Sequence, residues 1–359
     1  MKMGIYIFQL MLILTVSFVV NNQKNLSQGE KKKKILSISI GLIWLICVLK
    51  KYTVGIDVPG YRKIYIMSAN WPWFSFSNVY YEKGYTLLMQ LFSKNGIDFQ
   101  IFNAFVYTVI YIPWYFFLKR YSKQPTMSII IYICYQFWVF NMSGLRQGMA
   151  MSICLIAFML LEKKRVRNVI GFVLMVVVAS FIHRSAILFL FALGIYFFSA
   201  DIKTLFAFFI IFALCFVLRS NIVGFVNSFA GDYQVGMNMD LGGSFIMLVG
   251  FTIFGFAAIT MTSSEKPIVG QLDIDRASIY MMLCAIAFNL AMNGSSLLRA
   301  TSYFSMFVTV SFPNSLTRCT WKSKLLANLA VIVFMLGLYF SNVLLPNQLD
   351  ILPYKFFWQ

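Results

Sequence analysis

The single histidine of this 359-residue chain, His183, stands in Phe181-Ile-His-Arg-Ser185, where one apolar run ends and the next begins. An imidazole there suits proton transfer, since its ordinary pKa near 6.5 lets it take a proton from a hydroxyl or give one to a phosphate oxygen. Arg146, Arg184 and Arg299 stand in the same kind of position, each beside an apolar run. Charged side chains next to spans are functional candidates by default, because placing one at a helix centre costs roughly 2.5–3.5 kcal/mol. Guanidinium forks match phosphate oxygens two at a time, so three of them on one side of a membrane suggest a phosphate or pyrophosphate ligand. Two plainer readings stand beside these: arginines that snorkel to lipid headgroups, and a histidine that joins two helices by a hydrogen bond.

The elements that must position these residues follow from composition. The chain is 60% hydrophobic and 12% charged. That is far too apolar for a soluble protein of this size, and it predicts an all-α, polytopic membrane protein forming one multi-pass domain over 1–359. Apolar runs near 4–20, 35–50, 98–118, 125–142, 146–161, 169–182, 185–200, 203–218, 244–262, 277–292, 297–313 and 325–345 give about 12 crossings, with a range of about 10–13. With the Lys31-to-Lys34 run inside, the inner loops hold 18 of the 30 Lys and Arg, as the positive-inside bias requires. The formal net charge of +18 is then a topology signal, and nucleic acid is excluded as a partner.

Alternation places Asp57, Arg62, Glu82, Arg146, His183, Arg184 and Arg299 together on the outer face. It also predicts that the helices starting near Arg146, Ser185 and Ser296 point their N-termini at one outward-facing cavity, where helix dipoles favour an anion. The long outer loop 51–97 reads as a folded loop of turns, with Tyr85 to Ser93 in the interface or dipping in and returning. Asp57 and Glu82 are candidate bases or sugar-hydroxyl acceptors there, or simple ion-pair partners of Arg62 and Lys63. A second outer loop, 219–243, carries Gly231, Asp232, Gly236 and Asp240 and reads as a connector or a lid. The six cysteines lie singly in or beside apolar runs, with no CxxC pair and no His cluster, so no metal site is expected. No Walker A loop or GxGxxG is present, and no cofactor is called for.

Taken in order, Gly55-Ile-Asp57 with Tyr61, Glu82-Lys-Gly-Tyr85, Gly144-Leu-Arg-Gln147, Phe181-Ile-His-Arg-Ser185 and Pro353-Tyr-Lys-Phe-Phe357 resemble the EpsG family of Wzy-type bacterial polysaccharide polymerases. The resemblance implies a glycosyltransferase of the bacterial cell membrane that joins undecaprenyl-diphosphate-linked oligosaccharide repeats on the outer leaflet. It would work beside a flippase and a chain-length regulator of the same pathway. On that expectation Arg146, Arg184 and Arg299 bind the pyrophosphate and His183 moves the proton. Asp57 and Glu82 are second-choice bases, and Tyr61, Arg62, Tyr85, Gln147 and Ser185 hold substrate. A flippase of the same lipid-linked sugar and an outer-face glycan ligase are the rival readings. Internal repeats and helices broken at the midplane would favour the flippase, and the sequence shows neither, its charges clustering at one face.

Overall fold

The computed structural model describes residues 3–75, 81–198, 202–222, 224, 242–261, 272–292, 296–318 and 324–359. The expected all-α class holds: helices account for the regular structure of the described residues, and a β-bridge pairs Lys50 with Phe356. The helices are α1 (Gly4–Asn22), α2 (Gln28–Leu49), α3 (Val58–Ser68), α4 (Lys83–Ser93), α5 (Phe99–Tyr121), α6 (Pro125–Cys134), α7 (Phe137–Ser143), α8 (Leu145–Leu160), α9 (Val166–Ile182) and α10 (Ile202–Val217). They continue with α11 (Gly242–Met261), α12 (Ile274–Met292), α13 (Ser302–Ser305), α14 (Val308–Arg318) and α15 (Lys324–Tyr339). By length and composition α1, α5 and α12 can each cross a membrane, and several shorter apolar helices accompany them. Their packed faces form one large apolar core, with Trp114, Trp138, Tyr107 and Tyr303 fully buried in it, and two smaller clusters around Ile279 and Met292.

Several expected spans are not single α-helices. The run 125–142 breaks between α6 and α7 at Gln136, whose φ of 72° is left-handed and ends the α6 ladder. The run 185–200 is a 3₁₀ helix over Arg184–Tyr196. The run 297–313 divides into a 3₁₀ turn (Ser296–Thr301), α13 and α14, and α15 ends in a π-turn over Phe340–Leu344. The loop 51–97 is likewise more than turns, for it contains α3 and α4. α4 packs on α3, α5 and α9 and buries Tyr85, Met89 and Gln90. Of the expected lid, Gly231, Asp232, Gly236 and Asp240 lie outside the described residues, as does Cys319.

The connections sort to two ends. At one, Lys123, from the α5–α6 turn, and Arg318, from the end of α14, contact Asp275 at 2.9 and 2.5 Å. Asn314 donates to Asp275 at 3.0 Å, and Arg120 pairs with Glu162 at 2.5 Å. At the other end, Lys51 N–H donates to Lys355 O, Gly55 N–H to Asp350 O and the Tyr6 hydroxyl to Ile351 O. α8 joins the ends, its 16 residues spanning about 24 Å, with Arg146 in its first turn and Glu162 just past its last.

Candidate active site

Two glycines explain how the chain assembles a polar cluster. Gly55 has a φ of +101°, and a Cβ there would stand 2.9 Å from the Met142 carbonyl oxygen. Only glycine lets this loop lie against the end of α7. Two residues on, the Asp57 N–H donates to Ser143 Oγ at 3.1 Å, bracing the chain just before α8 begins. Gly84 is the second contact. A Cβ on it would come within 2.7 Å of the Phe181 carbonyl oxygen, so the first turn of α4 rests directly on the last turn of α9. That approach brings Glu82, the residue before α4, to His183, the residue after α9.

Glu82 makes no side-chain cap on its own helix and turns its carboxylate outward to its neighbours. Oε2 accepts a hydrogen bond from Arg146 Nη1 at 2.5 Å, and Oε1 accepts one from the Arg184 backbone N–H at 3.1 Å. His183 Nδ1 is 3.1 Å from Oε1, a polar contact that becomes an ion pair when the ring is protonated. Burial pushes the Glu82 carboxyl up. The His183 ring, the Arg146 guanidinium and the Arg184 N–H outweigh it and bring the carboxyl down to about 2. Burial also lowers the His183 pKa below its ordinary 6.5, with Glu82 opposing and Arg146 and Arg299 assisting, so the ring is neutral at pH 7.

The Arg146 guanidinium lies 4.2 Å from the centre of the Tyr81 ring and 5.7 Å from that of Tyr61, and Nε reaches the Tyr61 hydroxyl at 3.5 Å. Tyr61 in turn packs on Tyr81 and Tyr85 at 5.3 and 5.7 Å between centroids. This aromatic box holds the guanidinium plane in one orientation. Gln147, the next residue, donates Nε2 to the Arg299 carbonyl at 2.6 Å and so ties α8 to the 3₁₀ turn. The Ser185 hydroxyl points to the Tyr303 hydroxyl at 3.5 Å.

The expected residues therefore divide. Glu82, Arg146, His183 and Tyr61 form one cluster, and Arg299 lies near enough for its charge to act on Tyr61 and His183. Arg184 reaches the cluster by its backbone, while its side chain is exposed. Arg62 turns away to stack on Tyr52 at 4.2 Å, and neither Asp57 nor Glu82 forms an ion pair with Arg62 or Lys63 among the described residues. Tyr85 is fully buried with its hydroxyl unbonded, a packing position. The helix-dipole expectation is corrected: only Arg146 opens an α-helix. Arg184 opens a 3₁₀ helix, and Arg299 lies in the last turn of a six-residue 3₁₀ segment. Neither of these aims an α-helical N-terminus at the cluster. Sequence reading missed Tyr81, although it falls within the Tyr80-to-Tyr85 stretch, and Asp275, a buried carboxylate among basic loops. Among the described residues no three His, Cys, Asp or Glu side chains gather as a metal site.

Apolar helices around a buried cationic cluster define an integral membrane protein with a polar site at one end of its bundle. The chain belongs to the EpsG family, whose model matches residues 33–356. That membership points to polysaccharide biosynthesis. Neither the curated proteins nor the solved structures give a match to this chain.

Proposed function

We propose that this protein is a polysaccharide polymerase of the bacterial cell membrane, joining undecaprenyl-diphosphate-linked oligosaccharide repeats at the outer face. The observation that carries the reading is the Arg146–Glu82–His183 cluster, placed within reach of Arg299 inside a chain of the EpsG family. The end bearing Glu82 faces outward, because the opposite end gathers the lysine- and arginine-rich connections.

In the reaction an acceptor hydroxyl of one repeat attacks the anomeric carbon of the growing chain. The bond from that carbon to the lipid pyrophosphate oxygen breaks, and undecaprenyl diphosphate leaves with the electron pair. His183 takes the hydroxyl proton. Its ring is neutral and therefore able to accept, and Glu82 beside Nδ1 stabilises the imidazolium that forms. Glu82 is a poor base itself, since its oxygens already face Arg146, Arg184 N–H and His183 and its pKa is about 2. Its role is positioning. Arg146, Arg184 and Arg299 bind the pyrophosphate and stabilise the charge that grows on it. Gln147 and Tyr61 act through their neighbours, Gln147 fixing the Arg299 backbone and Tyr61 the Arg146 plane.

The test is polymerisation by purified protein in nanodiscs, given an undecaprenyl-diphosphate-linked repeat unit, with products resolved by size. A ladder abolished by His183→Ala and by Arg146→Ala is the expected result. A ladder that survives both changes overturns the site, and no ladder from folded protein with its own repeat unit overturns the activity.

A further inference from the structure

A cavity of about 90 Å³ lies where two helices lose their regular form, at Gln136 between α6 and α7 and at the π-turn after α15. Irregular backbone at membrane depth is tolerated where it lines a polar or water-filled space, and transporter substrate sites are built from such breaks. The lining among the described residues is largely apolar and aromatic, with a set of uncharged polar side chains and little charge. Gln136, Asn289, Ser302, Ser305, Asn342 and Gln348 converge on it from four separate stretches of chain. None of these side chains has a hydrogen-bond partner among the described residues, although Asn289 is only 8% and Ser305 only 5% exposed. A buried amide without a partner costs about 1–3 kcal/mol, so the buried Asn289 amide and Ser305 hydroxyl, with the half-buried Gln136, Ser302 and Asn342 and the exposed Gln348 facing the same space, mark a place where a ligand completes the bonding.

The chemistry of that ligand is readable. Among the described residues no carboxylate lines the cavity, so a cation finds no counter-charge there, and the cationic side chain of Arg299 stands where the cavity meets the catalytic cluster. Amide groups that both donate and accept suit hydroxyls, which do the same. Phe137 and Phe140 supply flat apolar walls. A few fixed polar groups on an apolar, aromatic surface are what a small-molecule site presents, and a neutral ring bearing several hydroxyls fits both parts.

We propose that this cavity is a saccharide subsite, holding an uncharged sugar of the repeat unit next to the pyrophosphate-binding arginines. The assignment rests on the polymerase reading for its substrate, and on the cavity's own residues for its chemistry. α7 links the two sites, running from Gln136 at the cavity to Gly144 at the start of α8, two residues before Arg146. The gap in the α6–α7 ladder is then the means by which Gln136 is turned toward substrate.

The probe is the repeat-unit oligosaccharide released from the cell's own polymer, without lipid or pyrophosphate, fluorescently labelled and titrated against the full chain in nanodiscs. Wild-type protein binds it, and Asn289→Leu and Asn342→Ala each weaken binding about tenfold, the loss expected for one hydrogen bond. His183→Ala, which stops polymerisation, leaves the affinity unchanged. Thermal unfolding shows that each variant is folded, and Asn342→Ala, at a half-buried position, serves if Asn289→Leu is not. Unchanged affinity in both cavity variants, or no glycan binding by the wild type, overturns the subsite while any ladder leaves the polymerase standing. Loss of glycan binding in the cavity variants of a protein that makes no ladder upholds the subsite and removes the polymerase.

Discussion

At the scale of single residues, Glu82 and His183 make opposite predictions about pH. The folded Glu82 carboxyl, at about 2, lies below its ordinary 4.5, so the stabilisation it gives is complete above pH 4.5 and is lost as pH falls toward 2. Thermal unfolding midpoints should therefore drop across that window in wild type and much less in Glu82→Gln, which itself starts lower by about 3 kcal/mol because Arg146 loses its partner in a buried pair. On the proposed mechanism His183 governs activity instead. Its pKa is lowered from 6.5, so the ring loses basicity only below that value, and the acid limb of the polymerisation rate should fall below pH 6.5 and vanish in His183→Ala, which retains little activity at any pH. Arg146→Lys keeps the charge but loses the Nη1 contact to Glu82 in its present geometry and the flat face on Tyr81. Polymer yield per folded molecule should fall at least about tenfold, a loss of one to two kcal/mol of oriented contact. Sequence alone marked all three of these residues. It did not show that Glu82 is spoken for, because pairing across 64 and 101 positions of chain is a tertiary fact.

At the scale of elements, the site depends on α4 lying against the end of α9. Gly84→Ala puts a methyl within 2.7 Å of the Phe181 carbonyl oxygen, which is backbone and cannot rotate aside. The helices must part by a few tenths of an ångström or more, at a cost of about 1–3 kcal/mol, and the Glu82 carboxylate moves away from His183. The expected signature is a lowered unfolding midpoint together with reduced activity, whereas Gly29→Ala, in the first turn of α2 with nothing within 4 Å, should leave activity intact. Helix periodicity and apolar run length gave α5, α8, α9 and α12 to within a few residues. They gave no warning of the break at Gln136, the 3₁₀ stretch after His183 or the π-turn at Phe340, since Tyr135-Gln-Phe and Ser341-Asn-Val contain neither Gly nor Pro to mark a departure. The loop 51–97 misled in the other direction. Its Gly and Pro residues signalled turns, and Pro59 in fact opens a helix, where a missing N–H costs nothing.

At the scale of the whole molecule, the two ends differ in what they hold together. Asp275 gathers Lys123, Arg318 and Asn314 at the end away from His183, and no substrate chemistry is assigned there. The alternation of basic loops predicted this sorting before any contact was known, because insertion favours lysine and arginine on the cytoplasmic side. What it left open is whether the chain obeys that rule in the membrane, and the cysteines make this measurable. Cys47, Cys134, Cys154 and Cys284 are buried and free, so with Cys215 and Cys319 replaced by serine the background toward a membrane-impermeant maleimide is low. Lys63→Cys, on the exposed face of α3, should then label in intact cells. Lys164→Cys, exposed between α8 and α9, should label only after the membrane is opened. The reverse pattern would put the Arg146–Glu82–His183 cluster on the cytoplasmic side, where no outer-leaflet acceptor can reach it, and would remove the proposed reaction with it. The expected pattern places the cluster, the arginines around it and the polar cavity beside them on the face where a lipid-linked sugar arrives with its pyrophosphate at the headgroup level.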